Sequence, residues 1–172
     1  ETLKAFVEKH QIPVVETQAG KSALSWDHDL NFGPVGVTGA ESANIVSEKA
    51  DLVIGVGTRF QDFTTGSWAL FKNPNRKILA LNVQAYDSAK HDAIPLTADA
   101  KIGLEKLSSA LGGHKYAGPD AAVKASWFAK ADAVTAAPAD SNSLPTDMQV
   151  IGAVQRASRD NTVVMCAAGT MP

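Results

Sequence analysis

Residues 50–66, ADLVIGVGTRFQDFTTG, decide how this chain folds. Leu52, Val53, Ile54 and Val56 form a short apolar run, interrupted by Gly55 and closed by Gly57. A run of this kind, rich in β-branched residues and bounded by turn signals, predicts a strand buried on both faces at the centre of a parallel sheet. It gives way to small and polar residues: Thr58, Gln61, Asp62, Thr64, Thr65, Gly66 and Ser67. That is how the carboxyl end of such a strand opens into a crevice, where ligands of open α/β sheets bind.

The same alternation extends to either side. Downstream, KILALNV (residues 77–83) predicts the next strand and Ile94-Pro95-Leu96-Thr97-Ala98 a later one, with Pro95 placing it at or near a sheet edge. A helical turn is expected at residues 85–89 between them. Ala98 or Asp99 caps a helix through Leu111, with Ile102, Leu104, Leu107 and Leu111 apolar and Gly112-Gly113 at its end. Upstream, Leu3, Phe6 and Val7 mark an amphipathic helix over residues 2–10, and residues 13–17 a short strand. A short helix is expected around residues 22–26. Residues 31–39, with Gly33, Pro34, Gly36 and Gly39, predict a loop. Thr38-Gly39-Ala40-Glu41 then has the pattern of a capping box opening a helix to Ala50, buried through Ala43, Val46 and Ala50. Helices alternating with strands predict a doubly wound α/β sheet of five or six parallel strands, with helices on both faces.

From His114 the pattern changes. Residues 119–135 predict one helix with Val123, Trp127, Ala131 and Val134 on a stripe. Residues 136–143 form a linker, and Thr146 with Gln149 a second capping box opening a helix to about Ala157. A final strand is expected over residues 161–168, including Cys166. The expected division is a domain over 1–113, a helix and linker over 114–143, and the start of a second domain over 144–172. A beginning inside a helix and an ending straight after a strand suggest a piece of a longer protein.

Several functions are disfavoured. A net charge of −2 offers no basic stripe, so no nucleic-acid partner is expected. No apolar segment approaches ~20 residues and no charged-then-apolar leader opens the chain, so neither membrane span nor export is expected. The single Cys166 fits a reducing, cytoplasmic setting. His10, His28, His91 and His114 lack metal-ligand spacing and are expected at the surface, with no metal site. Gly55-Val56-Gly57 begins a dinucleotide fingerprint, but Phe60 occupies the third glycine position and the next strand ends in Asn82 rather than an acid.

The order of motifs is more specific than any single one. Gly20-Lys21, the Gly33-x-x-Gly36-x-x-Gly39 loop, residues 50–66, KILALNV and the strand leading to Ala98-Asp99-Ala100 closely resemble the central domain of thiamine-diphosphate-dependent enzymes. Leu144-Pro145 and residues 163–169 look like the entry into that family's pyrophosphate-binding domain. Glu16–Lys21, Asp62–Gly66 and Cys166–Gly169 are most similar to the branch that hydrolyses trihydroxycyclohexane-diones in myo-inositol catabolism.

The resemblance implies a carbon–carbon hydrolase using thiamine diphosphate and Mg²⁺. It also implies neighbouring amino- and carboxyl-terminal domains and a homo-oligomer when full length. The activating glutamate and the Mg²⁺–diphosphate segment would lie in those neighbours, so no catalytic residue and no bound cofactor are expected on this chain, which alone should be inactive. Thr38, Gln61, Asp62, Phe63 and Thr64 become substrate-wall candidates, and Gly169 and Thr170 would approach the cofactor through backbone groups. Phe63 stands where the acetolactate synthase branch carries an arginine suited to a carboxylate, which fits a neutral polyol ring. The alternatives are a 2-keto acid carboligase or decarboxylase, an FAD- or NAD-binding module, and a domain that only braces its neighbours.

Overall fold

The computed structural model describes residues 1–118, 121–140 and 142–165. It divides into two compact units, residues 1–124 and 125–172.

In the first unit, α1 (Thr2–His10) leads to β1 (Val14–Glu16) and β2 (Asn31–Pro34), and α2 (Glu41–Lys49) to β3 (Leu52–Val56). The short α3 (Asp62–Thr65), β4 (Lys77–Asn82), α4 (Ala85–Ser88), β5 (Ile94–Thr97) and α5 (Ala100–Leu111) complete it. All pairings are parallel, in two hydrogen-bonded sets: β1 with β2, and β3-β4-β5. The α/β parallel architecture is as the alternation predicts, and β5, with Pro95, stands at the edge of its set.

The middle strand of that set is β4, not β3. Ile78, Ala80, Leu81 and Asn82 of β4 are buried, whereas in β3 Leu52 is exposed and only Gly55 is fully buried. Successive residues of β4 feed opposite faces. Leu81 packs with Phe6, Val7, Leu24 and Leu104, the core beneath α1 and α5, while Ile78 and Ala80 pack with Phe60 on the other side. Gly103 of α5 lies so close that a Cβ would strike Leu81.

Five local expectations are corrected in this unit. Residues 31–34 are a strand rather than part of a loop, because Val14 and Val35 donate backbone hydrogen bonds to Leu30 and Glu16 (2.7 and 2.8 Å) and so draw β2 alongside β1. Thr38 caps nothing: Gly39 N–H donates to Gly36 (3.0 Å) and Ala40 N–H to Pro34 (2.7 Å), turning the chain once more before α2 starts from Ala40. Asn44 holds the loop instead, accepting from Gly36 N–H (3.1 Å) and donating to Gly36 O (3.0 Å). The buried face of α2 is accordingly Ser42, Ala43 and Ser47, with Val46 and Ala50 half-buried.

Residues 22–26 form turns, not a helix; Asn31 donates to the carbonyls of Leu24 and Ser25 (3.1 and 3.2 Å) and holds that backbone irregular. His10 is buried rather than exposed, 1% accessible, with Nδ1 2.7 Å from His114 O and Nε2 3.0 Å from Ser108 Oγ. It ties α1 to α5. Asp99 caps α5 as expected, accepting from Lys101 and Ile102 N–H (2.9 and 3.2 Å).

Helix α6 (Ala121–Thr135) has no fully buried residue: of the expected stripe Val123, Trp127 and Ala131 are half-buried and Val134 is exposed, while further apolar residues lie around the rest of the helix. In the second unit, α7 (Asp147–Ala157) opens with the predicted Thr146–Gln149 capping box. Arg156 donates to Thr135 O (2.8 Å), and a Cβ at Gly152 would run into Thr135. No strand forms over residues 162–165, and Val163, Val164 and Met165 are exposed, since no described strand lies beside them to complete a ladder. The rest of that expected strand, with Cys166, Gly169 and Thr170, lies outside the described residues.

Candidate functional site

The site is built where β3 and β4 end. After Val56 the chain turns at Gly57, whose φ of +67° suits a residue without Cβ and whose N–H donates to Leu81 O (2.8 Å). Asn82 closes β4 and joins both following loops: its Nδ2 donates to Thr58 O (3.3 Å), and its Oδ1 accepts from Gln84 N–H (3.0 Å). The amide found in place of the ribose-binding acid therefore has a structural task.

Phe60 turns back in a left-handed conformation, φ 50°, and lays its ring on Gly55, where a Cβ would lie within 2.6 Å of Cε2 and still nearer Cζ. Trp68 stacks on Phe60 at 5.9 Å between ring centroids, His91 meets Trp68 at 4.6 Å, and Arg76 sits 5.2 Å over the Trp68 ring. The Gly-Val-Gly signal thus has a packing origin. Gly55 accommodates an aromatic ring, which fills the surface that a dinucleotide fingerprint leaves open.

From that anchor the chain enters α3. Gln61 O accepts from Thr64 and Thr65 N–H (2.9 and 3.0 Å), and the fully buried Thr65 accepts at Oγ1 from Trp68 N–H (3.2 Å). A knitted backbone therefore presents Gln61, Asp62 and Phe63 outward. Phe63 is 74% exposed, and Tyr86 across the cleft is exposed as well. Phe63 O accepts from Val37 N–H (2.9 Å), and a Cβ at Gly36, φ +139°, would fall 2.5 Å from the same oxygen. The glycine loop is thereby held against α3.

An open cleft of about 740 Å³ results, lined by Arg59, Phe60, Gln61, Asp62, Phe63, Tyr86, Lys90 and His91. Of the five wall candidates, Gln61, Asp62 and Phe63 line it. Thr38 is exposed in the turn beside Val37, and Thr64 is half-buried in α3; neither lines the cleft. Sequence reading missed Arg59, Tyr86, Lys90 and His91. The last three follow β4, and only the parallel register that sets the end of β4 beside the end of β3 brings them across. Arg59 lies within residues 50–66, one residue before the aromatic anchor, and its signal is a cation at a strand end.

The polar groups of the cleft differ in their freedom. Lys90 is committed, 2.6 Å from Asp87 Oδ1 and 4.3 Å over the Tyr86 ring. Arg59 and Asp62 are exposed and form no ion pair among the described residues, so a cation, a carboxylate and the Gln61 amide all face solvent. Amide, carboxylate and an exposed aromatic face suit a small polyhydroxylated ring: two groups for hydroxyls, one surface for C–H edges. Among the described residues no three His, Cys, Asp or Glu side chains come together as a metal site.

Residues 1–107 match the family model for the central domain of thiamine pyrophosphate enzymes. The chain is 48% identical over 116 residues (67% of its length, 18% of the relative's) to a 3D-(3,5/4)-trihydroxycyclohexane-1,2-dione hydrolase of Clostridium tetani. It is 37% identical to proteins of the same name from Clostridium perfringens, over all of the chain and 31% of the relative, and from Geobacillus thermodenitrificans, over 97% and 29%. The chain spans less than a third of the length of these relatives.

Proposed function

The chain belongs to the thiamine pyrophosphate enzymes, as their central domain, and on that premise we propose that the whole protein hydrolyses a carbon–carbon bond of 3D-(3,5/4)-trihydroxycyclohexane-1,2-dione. The observation that carries this is the 37% identity, across all of the chain, to a relative bearing that name. Phe63 supports it from the cleft: its exposed apolar ring offers a surface for the C–H edge of a cyclic polyol.

In this reading Gln61 and Asp62 take hydroxyls of the ring and Phe63 covers its apolar edge. Thr38 and Thr64 support the wall, Thr38 through the turn fastened to Phe63. Thiamine diphosphate, when bound, supplies the carbanion-stabilising chemistry. The holders of Mg²⁺ and the diphosphate are assigned to the neighbouring domains, with Gly169 and Thr170 as backbone contacts at the boundary. Residues 1–113 form the central domain, 114–143 the connection and 144–172 the start of the pyrophosphate-binding domain. The enzyme is a cytoplasmic homo-oligomer, and this chain alone is inactive. No described helix is long and apolar enough to cross a membrane.

The test is turnover by the full-length enzyme, supplied with thiamine diphosphate and Mg²⁺, of the cyclic diketone against a panel of 2-keto acids. Ring opening with little keto acid consumption is expected. Decarboxylation or condensation of the keto acids, with the diketone left intact, would overturn the reading.

A further inference from the structure

The cleft carries a cation that a neutral substrate does not need. Arg59 is exposed, lines the cleft and forms no ion pair among the described residues, while its neighbour Lys90 is neutralised by Asp87 at 2.6 Å. Arg59 is also well fixed at its backbone. Thr58, before it, is held by Asn82 Nδ2 (3.3 Å), and Phe60, after it, is buried on Gly55 and accepted at N–H by Thr58 Oγ1 (3.3 Å). The side chain is free, and its starting point is not.

The reaction itself generates the anion that would match it. Hydrolysis between the two carbonyl carbons of a cyclic 1,2-diketone breaks one C–C bond and consumes one water. The water oxygen ends on one carbonyl carbon, which becomes a carboxylic acid; a hydrogen ends on the other, which becomes an aldehyde. No oxidant or reductant is needed, because one carbon is oxidised as the other is reduced. The acid loses its proton to solvent at neutral pH. A neutral ring thus becomes an open-chain hydroxy acid carrying one negative charge.

We propose that Arg59 is a product-binding residue, its guanidinium receiving the carboxylate formed when the ring opens while Gln61 and Asp62 keep the hydroxyls. The planar fork of an arginine matches a carboxylate through two parallel hydrogen bonds, and these form only once the charge exists. The inference rests on the ring-opening reading of this cleft. Asp62, a like charge to the product, keeps the carboxylate at the Arg59 end and so sets the direction of binding.

The experiment compares full-length wild type with Arg59→Gln and Arg59→Lys, measuring KM for the cyclic diketone and the inhibition constant of the open-chain hydroxy acid. Loss of a charge-assisted pair predicts a rise in the inhibition constant of roughly 10- to 100-fold for Arg59→Gln. KM for the neutral ring should move by far less. Arg59→Lys should recover part of the product affinity but not the two-bond geometry. Equal changes in both constants, or an unchanged inhibition constant, would overturn the assignment while leaving ring opening intact. Wild type inert towards the diketone would overturn ring opening and the assignment together. ADP or FAD competing with the diketone, with that competition lost in Arg59→Gln and product affinity retained, would give Arg59 to a nucleotide phosphate and overturn it as well.

Discussion

Gly55→Ala tests whether the glycine pair after β3 exists for packing. The added methyl would lie 2.6 Å from Phe60 Cε2 and 3.0 Å from Thr58 Cγ2, whereas carbon atoms settle about 3.5–4.0 Å apart. Phe60 must therefore retreat by about 1 Å. It has little room: it is 5% exposed, stacked on Trp68, and packed against Ile78 and Ala80. Overpacking of this kind costs about 1–3 kcal/mol. Replacing glycine within a strand returns roughly 0.5–1 kcal/mol, so a net loss of about 1–2 kcal/mol is expected. For a unit of this size that lowers the melting temperature by about 4 °C per kcal/mol. Urea unfolding of Gly55→Ala, Phe60→Ala and the double variant, followed by circular dichroism, isolates the coupling. Phe60→Ala alone should cost about 3–5 kcal/mol, and the double variant should cost no more, because the methyl enters vacated space. A Gly55→Ala protein as stable as wild type, or strictly additive costs, would refute the packing explanation.

Two further outcomes follow from the caps and charges. Asp99→Ala should lose about 1 kcal/mol, because its carboxylate satisfies two N–H groups of α5, while Thr38→Ala should lose under about 0.5 kcal/mol since Thr38 caps nothing; equal losses in thermal melts would contradict this. The Asp27 carboxyl is held below its usual 3.8, first by the hydrogen bond from Ser25 (2.5 Å), so Ser25→Ala should move its NMR titration back up. A lowered carboxylate contributes stability above its unfolded pKa, lost as pH falls through the folded value, so the same variant should flatten the acid limb of the stability curve. An unmoved titration would assign the shift to another neighbour.

What could be read in the chain depended on how local its cause is. The run at Leu52–Val56, the Asp99 cap and the Thr146–Gln149 box are each decided within five residues, and each formed where expected. Asn31–Pro34 misled because glycine and proline report turn preference, whereas its strand character comes from Val14 and Glu16, fifteen or more residues away. Thr38-x-x-Glu41 has the letters of a capping box, but Asn44 and Pro34 claim the loop first. His10 reads as a surface histidine until Ser108 and His114 arrive across the fold. The cleft divides in the same way: Gln61, Asp62 and Phe63 were visible as one stretch, whereas Tyr86, Lys90 and His91 join it only through the pairing of β3 with β4.

Pro95 has a consequence for how this protein behaves when crowded. Ala98 N–H donates to Asn82 O, so the backbone groups of Leu96 point towards β4 and those of Pro95 and Thr97 point the opposite way. A strand arriving at the open side of β5 would need a donor at position 95 and would find a pyrrolidine ring. Of these two outward-facing positions only Thr97 can donate, so a strand adding at this flank builds a weaker ladder than it would on an ordinary exposed edge.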